Sequence, residues 1–474
     1  MKLFIPYDPP NWNEYINLER KNKYAANNLK QKEKEIVQWA SLFRKYDGKY
    51  PVEIVFRPHF KDHRKDLDNT RVKGLLDGLV ACGVLKNDNL NHIQRIVLEP
   101  IFDDKEGIEV ENRTGVNTIK IPSYDFKFDL SKEFPILTTK QMFYRQAILE
   151  LFWIWQVCSN DVRWLQDRDV HIWDEWEVDD DGIYRIYEPN TLNYDKDKEV
   201  IVYDPMSLPI TDPFGKTHEM KPKVENGKIL RAKSKIEGKN IKMAKYYGKE
   251  YAHTIGTAYG YITNRYDFAN NLIETIKKDK NDRRMVKSLW QDEYLRKAVL
   301  PSCVWSTEWD VTGNKINLHV HQRSCDVPLG LPFNVTQYAT FLKIIAQVTS
   351  LEAGTISYSI KDAHIYVDQV ENIKKQIDRE KLYNELSMNT IPALQSMKSD
   401  LENKLLYLDK ESLEYTNVDS EIRIIDMLIN PTKPILELDK SIREFKDFDN
   451  SKDLKHVKIK NYKHMGKIKF KVTQ

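Results

Sequence analysis

Hydrophobic and polar positions divide the chain into stretches of two-residue period and stretches of helical period. A short apolar-rich strand at residues 2–6 and a Pro-Pro-Asn-Trp turn lead into a long charged helix. Pro51 to Pro58 alternates apolar with polar and predicts a strand; Val72 to Val80 has helical spacing; Ile93 to Glu99 predicts another strand. The stretch GIEVE is a further strand and runs into NRTGVNTIKI without a Gly/Ser or Pro linker. Phe143, Ala147, Leu151 and Trp155 recur at near-helical spacing and predict a core helix, with Thr138-Thr139 placed to cap it. Trp173 and Trp176, three apart, share one helical face, for which core packing is the ordinary reading. A helix is expected from Asp267 to Lys277, and Asp282-Arg283-Arg284 opens a strand.

From about residue 187 to 249 large apolar runs are few and Asp, Asn, Lys and Pro dominate, which reads as an insertion. A second charged insertion, with some helical periodicity, covers about 380–430. The 474 residues have room for two or three domains, and 41% hydrophobic content is enough for real cores. With Lys+Arg 74 against Asp+Glu 71 the net charge is +3, which gives no global case for nucleic-acid or membrane binding; any basic surface must be local. The four cysteines show no CxxC spacing, which suits a reducing cytosol and argues against a zinc site built on them. No apolar run reaches bilayer length and no signal peptide is recognisable, so a soluble, cytoplasmic protein is expected.

Chemistry concentrates between Leu300 and Tyr338. Cys303 follows a proline and a serine, Arg323-Ser324 offers a cation and a hydroxyl suited to phosphate, and Asn334 falls in a Gly-Leu-Pro-Phe-Asn stretch that reads as a rigid turn. A nucleophile, an anion clamp and an amide reader so close together suggest covalent attack on a small phosphorylated substrate. Glu150, set among Leu149, Leu151, Phe152 and Trp153, is either a desolvated carboxylate suited to proton relay or a solvated residue on a polar helix face. Nearer the start, Asp66, Asp68 and Asp88 with Lys73 could hold Mg²⁺ for phosphodiester cleavage, although Asp-Leu-Asp-Asn before a helix is, on spacing alone, more simply a cap and turn.

Residues 1–111 resemble the RusA-type Holliday junction resolvases of phages and prophages, through PPNWNEYINLER, DLDN, K-x-x-x-D-G-L and GVLKND. The resemblance implies an α+β nuclease domain in which Asp66, Asp68 and Asp88 bind Mg²⁺, Lys73 assists, and branched DNA is the substrate. Asn87 departs from the usual Asp-Asp pair. From Arg113 onward the chain resembles thymidylate synthases of the bacillus and phage type, through NRTG, FPILTTK, ELFWIW, HIWDEW, AYG, DRR, LPSC, QRSCDVPLGLPFN, DAHIY and NYKHMGKIKF in order.

That second resemblance implies a domain over 112–474 with a mixed β-sheet and flanking helices, so that the whole chain is of α+β (α/β mixed) class. It implies reductive methylation of dUMP to dTMP with 5,10-methylenetetrahydrofolate, in a homodimer. Cys303 would attack C6 of the uracil, in a cationic setting that favours the thiolate. Arg113, Arg323 and Ser324 would hold the phosphate, joined by Arg283 and Arg284 from the other subunit. Asn334 would read the uracil edge, and His364 and Tyr366 would bond the deoxyribose hydroxyl. Glu150 would relay protons with Tyr259 nearby, and Asp326 would contact the pterin. Ile172, Trp173, Trp176, Leu300, Leu329, Gly330 and Phe333 would line the folate site, and the C-terminal tail would close over the ligands.

Val304 replaces the histidine most members carry after the cysteine, and the helix usually preceding the NRTG arginine is missing. Other readings are a deoxyuridylate hydroxymethylase, and a DNA-junction nuclease or binding protein with a remnant synthase. A phage or prophage setting would suit both resemblances.

Overall fold

The computed structural model describes residues 28–29, 31–32, 37, 52–56, 59–60, 73–81, 85, 93–98, 101–102, 107–112, 115–188, 191–207 and 220–471. The chain divides into two compact units, Met1–Glu106 and Gly107–Gln474.

In the first unit, Val52–Phe56 pairs in parallel with Ile93–Leu98, and His59–Phe60 with Ile101–Phe102. A parallel pair needs a crossover, and the helix Lys73–Ala81 lies in that connection. Leu75, Leu76 and Leu79 are buried along it. These elements fall where alternation and helical spacing put them. The opening strand at 2–6, Asp66, Asp68 and Asp88 lie outside the described residues, as does the side chain of Lys73.

In the second unit the strands are β1 (Ile108–Val110), β2 (Thr118–Ile121) and β3 (Tyr124–Asp129). They are followed by the helix α1 (Tyr144–Trp155), a four-stranded sheet at 183–246, and the helices α2 (Gly260–Tyr266) and α3 (Phe268–Lys278). Next come β4 (Val286–Ser288), β5 (Val304–Thr312), β6 (Lys315–Asp326), α4 (Gly330–Val348) and β7 (Glu352–Tyr366). Among the described residues the main sheet has seven strands in the order β4-β5-β6-β7-β2-β1, with β3 on the remaining length of β7. β5 and β6 form an antiparallel hairpin, β6 and β7 run parallel with α4 as the crossover, and β2 and β3 are antiparallel to β7. Ile316, Leu318 and Val320 alternate inward from β6 onto a core shared with α1 and α4. The α+β class expected from the sequence is the one observed.

Residues 147–155 of α1 are all buried, Glu150 among them, so this part of the helix runs through the core. Two expectations at its start fail. Thr138 and Thr139 do not cap it: it begins at Tyr144 after Phe143, with no side-chain cap. The N–H groups ahead of it are met from the far end of the chain instead, Gln141 by the Gly466 carbonyl and Met142 by the Tyr462 hydroxyl. Phe143 is 49% exposed and outside the core stripe.

The stretch within 187–249 is regular. With Ile183–Tyr187, its strands Glu199–Tyr203, Arg231–Lys233 and Ile241–Tyr246 close over Val202, Ala232, Ile241 and Ala244. Beyond β7, Val370–Leu386 is followed by Ile391–Leu405 and Leu413–Ile429, the last two capped by Thr390 and Ser412. Leu386, Leu394, Ile424 and Ile425 gather around Met465 of the tail.

Candidate active site

Cys303 immediately precedes β5, half-buried. Its N–H donates to the Tyr259 hydroxyl at 2.8 Å, and its carbonyl accepts from Arg323 N–H at 2.9 Å. Arg323 lies across the hairpin. Its Nε donates to the Ser302 carbonyl (3.1 Å) and its Nη2 to the Pro301 carbonyl (2.6 Å), and Nη2 is 3.9 Å from the sulfur. Positive charge is therefore fixed beside the thiol by the backbone that carries it. Trp290 lies under the guanidinium, 5.6 Å from its ring centre.

Tyr259 reaches Cys303 at the cost of a strained backbone. Its φ is +46°, a region few non-glycine residues adopt. It opens α2 against residue 159, where a Cβ on Gly260 would overlap the Ser159 carbonyl. Burial pushes the Tyr259 hydroxyl well above its ordinary range, so it stays protonated.

Glu150 is buried in α1, which excludes the solvated alternative. Its Oε1 accepts from the Trp173 indole N–H (2.7 Å) and its Oε2 from Gln337 Nε2 (3.0 Å). Desolvation raises its pKa to about 7, and the two hydrogen bonds pull the other way. Trp173 packs edge-on to Tyr259 at 5.4 Å, which joins carboxylate, tyrosine and thiol into one neighbourhood. Trp173 caps and Trp176 ends a short 3₁₀ turn, Asp174–Trp176, in place of an α-helix, and their rings meet at 5.5 Å. Trp173 contributes a polar contact as well as packing.

Asn334 is in α4 and not in a turn: Gly330 and Pro332 occupy the first helical turn, where a missing N–H removes no intrahelical bond. Its Oδ1 accepts from Gln322 Nε2 (3.0 Å) and its carbonyl from the Tyr358 hydroxyl (2.7 Å). Asp326, at the end of β6, accepts from Leu329 N–H (3.2 Å) and from Gln369 Nε2 (3.0 Å). Burial raises its pKa. Lys140, also buried, donates to the Pro328 carbonyl (2.6 Å) and packs over Phe470; desolvation lowers its pKa to about 8, and attraction to Asp326 opposes that.

The tail is tied down beside Asp326. Gln369 Nε2 reaches the Lys471 carbonyl (3.1 Å), Asn372 the Lys469 carbonyl (2.9 Å) and Arg379 the Gly466 carbonyl (3.1 Å). Ser324 and His364 sit on neighbouring strands, β6 and β7, with Asp326 directly opposite His364. His364 is 8% exposed and meets Tyr366 edge-on at 5.3 Å. Ile172, Trp176, Leu300 and Phe333 are half-buried and lean on the core; Leu329 and Gly330 form the start of α4.

Two candidate phosphate groups lie elsewhere. Arg283 and Arg284 are exposed, Arg284 at 89% with Asp282 as ion-pair partner, and the carbonyl of the next residue, Met285, accepts from Trp309 N–H, six residues along the chain from Cys303. Arg113 lies outside the described residues. Sequence reasoning missed Gln337, Gln322, Gln369, Trp290 and Lys140. Gln337 had one usable signal: three residues after Asn334 on a helix, it projects near the same face.

A thiol held at a strand end, backed by a buried carboxylate and a fixed cation in a mixed α/β unit, is the framework of a nucleophilic group-transfer site. The thymidylate synthase family model matches residues 96–403, and the chain belongs to that family. It is 35% identical over 289 residues to a thymidylate synthase of Clostridium beijerinckii, covering 59% of this chain and 82% of that protein. It is 30% identical over 291 residues to a thymidylate synthase of Bacillus phage phi3T, covering 61% and 81%. Among solved structures, thermostable thymidylate synthase A from Bacillus subtilis aligns with a TM-score of 0.47 and 26% identity, over 78% of this chain and 94% of that one. Among the described residues, no helix is long and apolar enough to cross a membrane.

Proposed function

We propose that the second unit converts dUMP to dTMP. The observation that carries this is Cys303, half-buried between the Tyr259 hydroxyl and the Arg323 guanidinium, with Glu150 close behind. The thiolate adds to C6 of the uracil and activates C5. Glu150, its pKa raised to about 7 by burial, gives and takes protons on the pyrimidine through water. Arg323 with Ser324 binds the phosphate. Asn334 presents amide oxygen and nitrogen to N3–H and O4, in an orientation restrained by Gln322. His364 and Tyr366 take the deoxyribose hydroxyl.

The half-buried apolar side chains Ile172, Trp176, Leu300 and Phe333 and the buried Asp326 carboxylate are the kinds of group a pterin-bearing cosubstrate needs. 5,10-Methylenetetrahydrofolate would supply the one-carbon unit and the hydride. Asp326 would hold the pterin edge, and the anchored tail would exclude water.

The position of Arg283 and Arg284 supports a homodimer. From Cys303 to Trp309, beside which Met285 lies, is six strand residues, roughly 20 Å at the usual rise. Neither arginine reaches its own Cys303, so the phosphate each serves belongs to a second copy. For the first unit the proposal is a Mg²⁺-dependent junction nuclease built on Asp66, Asp68 and Asp88; junction cleavage that survives Asp66→Asn would sink it.

The synthase reading is tested by incubating the protein with dUMP and methylenetetrahydrofolate and weighing the product. A gain of about 14 mass units is expected, against about 30 for a hydroxymethylase, since the cosubstrate carries the redox step. No gain, or turnover retained in Cys303→Ser, overturns it.

A further inference from the structure

The tail of the chain changes character at one glycine. Met465, before it, is 3% exposed. Beyond it Lys467, Lys469 and Lys471 are exposed while Ile468 and Phe470 are half-buried, the two-residue period of an extended segment. Gly466 itself has φ +95°, a conformation that suits glycine and strains other residues. The helix α5 (Val370–Leu386) carries the extended segment: Gln369 at its start, Asn372 and Arg379 donate to the carbonyls of Lys471, Lys469 and Lys467. Gln369, which also serves the Asp326 carboxylate, is where this ladder meets the candidate site.

The root of the tail, just before the glycine, is gripped from two sides. On one side Met465 N–H donates to the Thr138 carbonyl (2.9 Å), and the Gly466 carbonyl accepts from Gln141 N–H (2.8 Å). On the other stand α6 (Ile391–Leu405) and α7 (Leu413–Ile429), the helices of the second insertion. Ser420 Oγ, on a residue 5% exposed, donates to the Met465 carbonyl at 2.6 Å. The Met465 side chain packs among Leu386, Leu394, Ile424 and Ile425. Lys463 Nζ donates to Asp426 Oδ2 (2.8 Å) and to the Asn430 carbonyl (3.1 Å), while Lys398 of α6 holds the other Asp426 oxygen (3.1 Å). α7 lies wholly beyond residue 403, where the family match ends, and supplies none of the residues assigned to the reaction. A chain end is ordinarily among the first parts of a fold to open, so contacts this numerous have an effect on the tail.

We propose that the second insertion is the anchor of the tail. Ser420 and Asp426 of α7 are positioning residues: they fix 463–465 and so keep 467–471 along α5, against Gln369 and Asp326. This rests on the synthase reading, in which that segment covers the cosubstrate. A cosubstrate then meets a tail already in place. If the tail were placed only part of the time, apparent affinity would fall by that fraction. Every contact involved lies within one chain, so none depends on a free outer surface.

The test compares the full-length wild type with Ser420→Ala, Lys463→Met and the double variant. Ser412→Ala is the control, because it loosens the start of the same helix without touching the tail. Two quantities are read: amide exchange over 463–471 in ligand-free protein, and KM and kcat for methylenetetrahydrofolate at saturating dUMP. In the double variant, exchange there should quicken about 10-fold or more, the usual consequence of leaving a buried carbonyl unpaired. KM for the cosubstrate should rise about 10-fold with kcat held within about 2-fold, since placement of the tail is lost and the reacting groups are not. Ser412→Ala should leave both quantities at wild-type values. If the double variant misfolds, Lys463→Met, a change at a half-exposed position, carries the comparison. Either quantity unchanged in the double variant, or both changed alike in Ser412→Ala, overturns the proposal. No product from the wild type overturns the synthase reading; the anchor then stands or falls on the exchange comparison, which needs no substrate.

Discussion

Glu150→Gln tests whether burial raises the pKa of the carboxylate behind the nucleophile. In the wild type, Glu150 has a folded pKa of about 7 against an ordinary value of 4.5. The unfolded chain therefore loses this proton near pH 4.5 and the folded chain only near 7. Between the two, the folded state holds more protons, so stability falls as pH rises across that window and levels off above it. A displacement of about 2.5 units at 1.36 kcal/mol each makes the cost above pH 7 roughly 3 kcal/mol. The variant's glutamine carries no such cost. Its oxygen can still accept from Trp173, and its amide can donate to Gln337 once that side chain turns its own oxygen inward. Any remaining mismatch is independent of pH.

The stability of Glu150→Gln minus that of wild type should therefore climb by roughly 3 kcal/mol between pH 4.5 and 8. Urea unfolding at a series of pH values, followed by fluorescence of the buried Trp153, Trp155 and Trp173, reads this difference. All other titrating groups are common to both proteins and cancel. Turnover should fall about 100-fold or more at every pH, the usual contribution of a proton-transfer group. A stability difference that stays flat across the window would refute the reasoning, because Glu150 would then ionise alike in both states.

Asn334→Asp replaces the amide that Gln322 orients with a group offering only acceptors, so preference should move from dUMP toward dCMP; an unchanged ratio of kcat/KM for the two nucleotides counts against the assigned role. Gln369→Leu removes one donor from the buried Asp326 carboxylate and the anchor of the Lys471 carbonyl. A loss of about 1–3 kcal/mol and faster amide exchange over 466–471 are expected, and unaltered exchange there would show that the tail is held otherwise. Ser412→Ala deletes the cap on the Tyr415 N–H and should cost about 1 kcal/mol, visible as earlier exchange in 413–429 and absent elsewhere.

How much could be read in advance depended on how far apart the interacting residues lie in the chain. The recurrence of Ala147, Leu151 and Trp155 is a local pattern, and α1 buries all three. Cys303, Arg323 and Asn334 were legible because a hairpin and the helix after it bring them together within 32 positions. Local reading failed where a distant segment satisfied a local need. Thr139 looked like a cap, but its hydroxyl accepts from Gln376, and the N–H groups before α1 are met by Tyr462 and Gly466, more than 300 residues away.

Asn334 looked like a turn residue because Gly330 and Pro332 disfavour helix interiors; in a first turn that penalty is absent, and α4 has a buried stripe long enough to decide the matter. Glu150 shows the boundary most sharply. Its apolar neighbours in sequence foretold desolvation, but its two donors, Trp173 and Gln337, lie 23 and 187 residues away. Without them the same desolvation would drive its pKa higher still and leave the carboxylate protonated at neutral pH; with them it stays near 7. The chemistry proposed for Glu150 therefore depends on Trp173 and Gln337, whose contribution arises only when the 3₁₀ turn and α4 pack against α1.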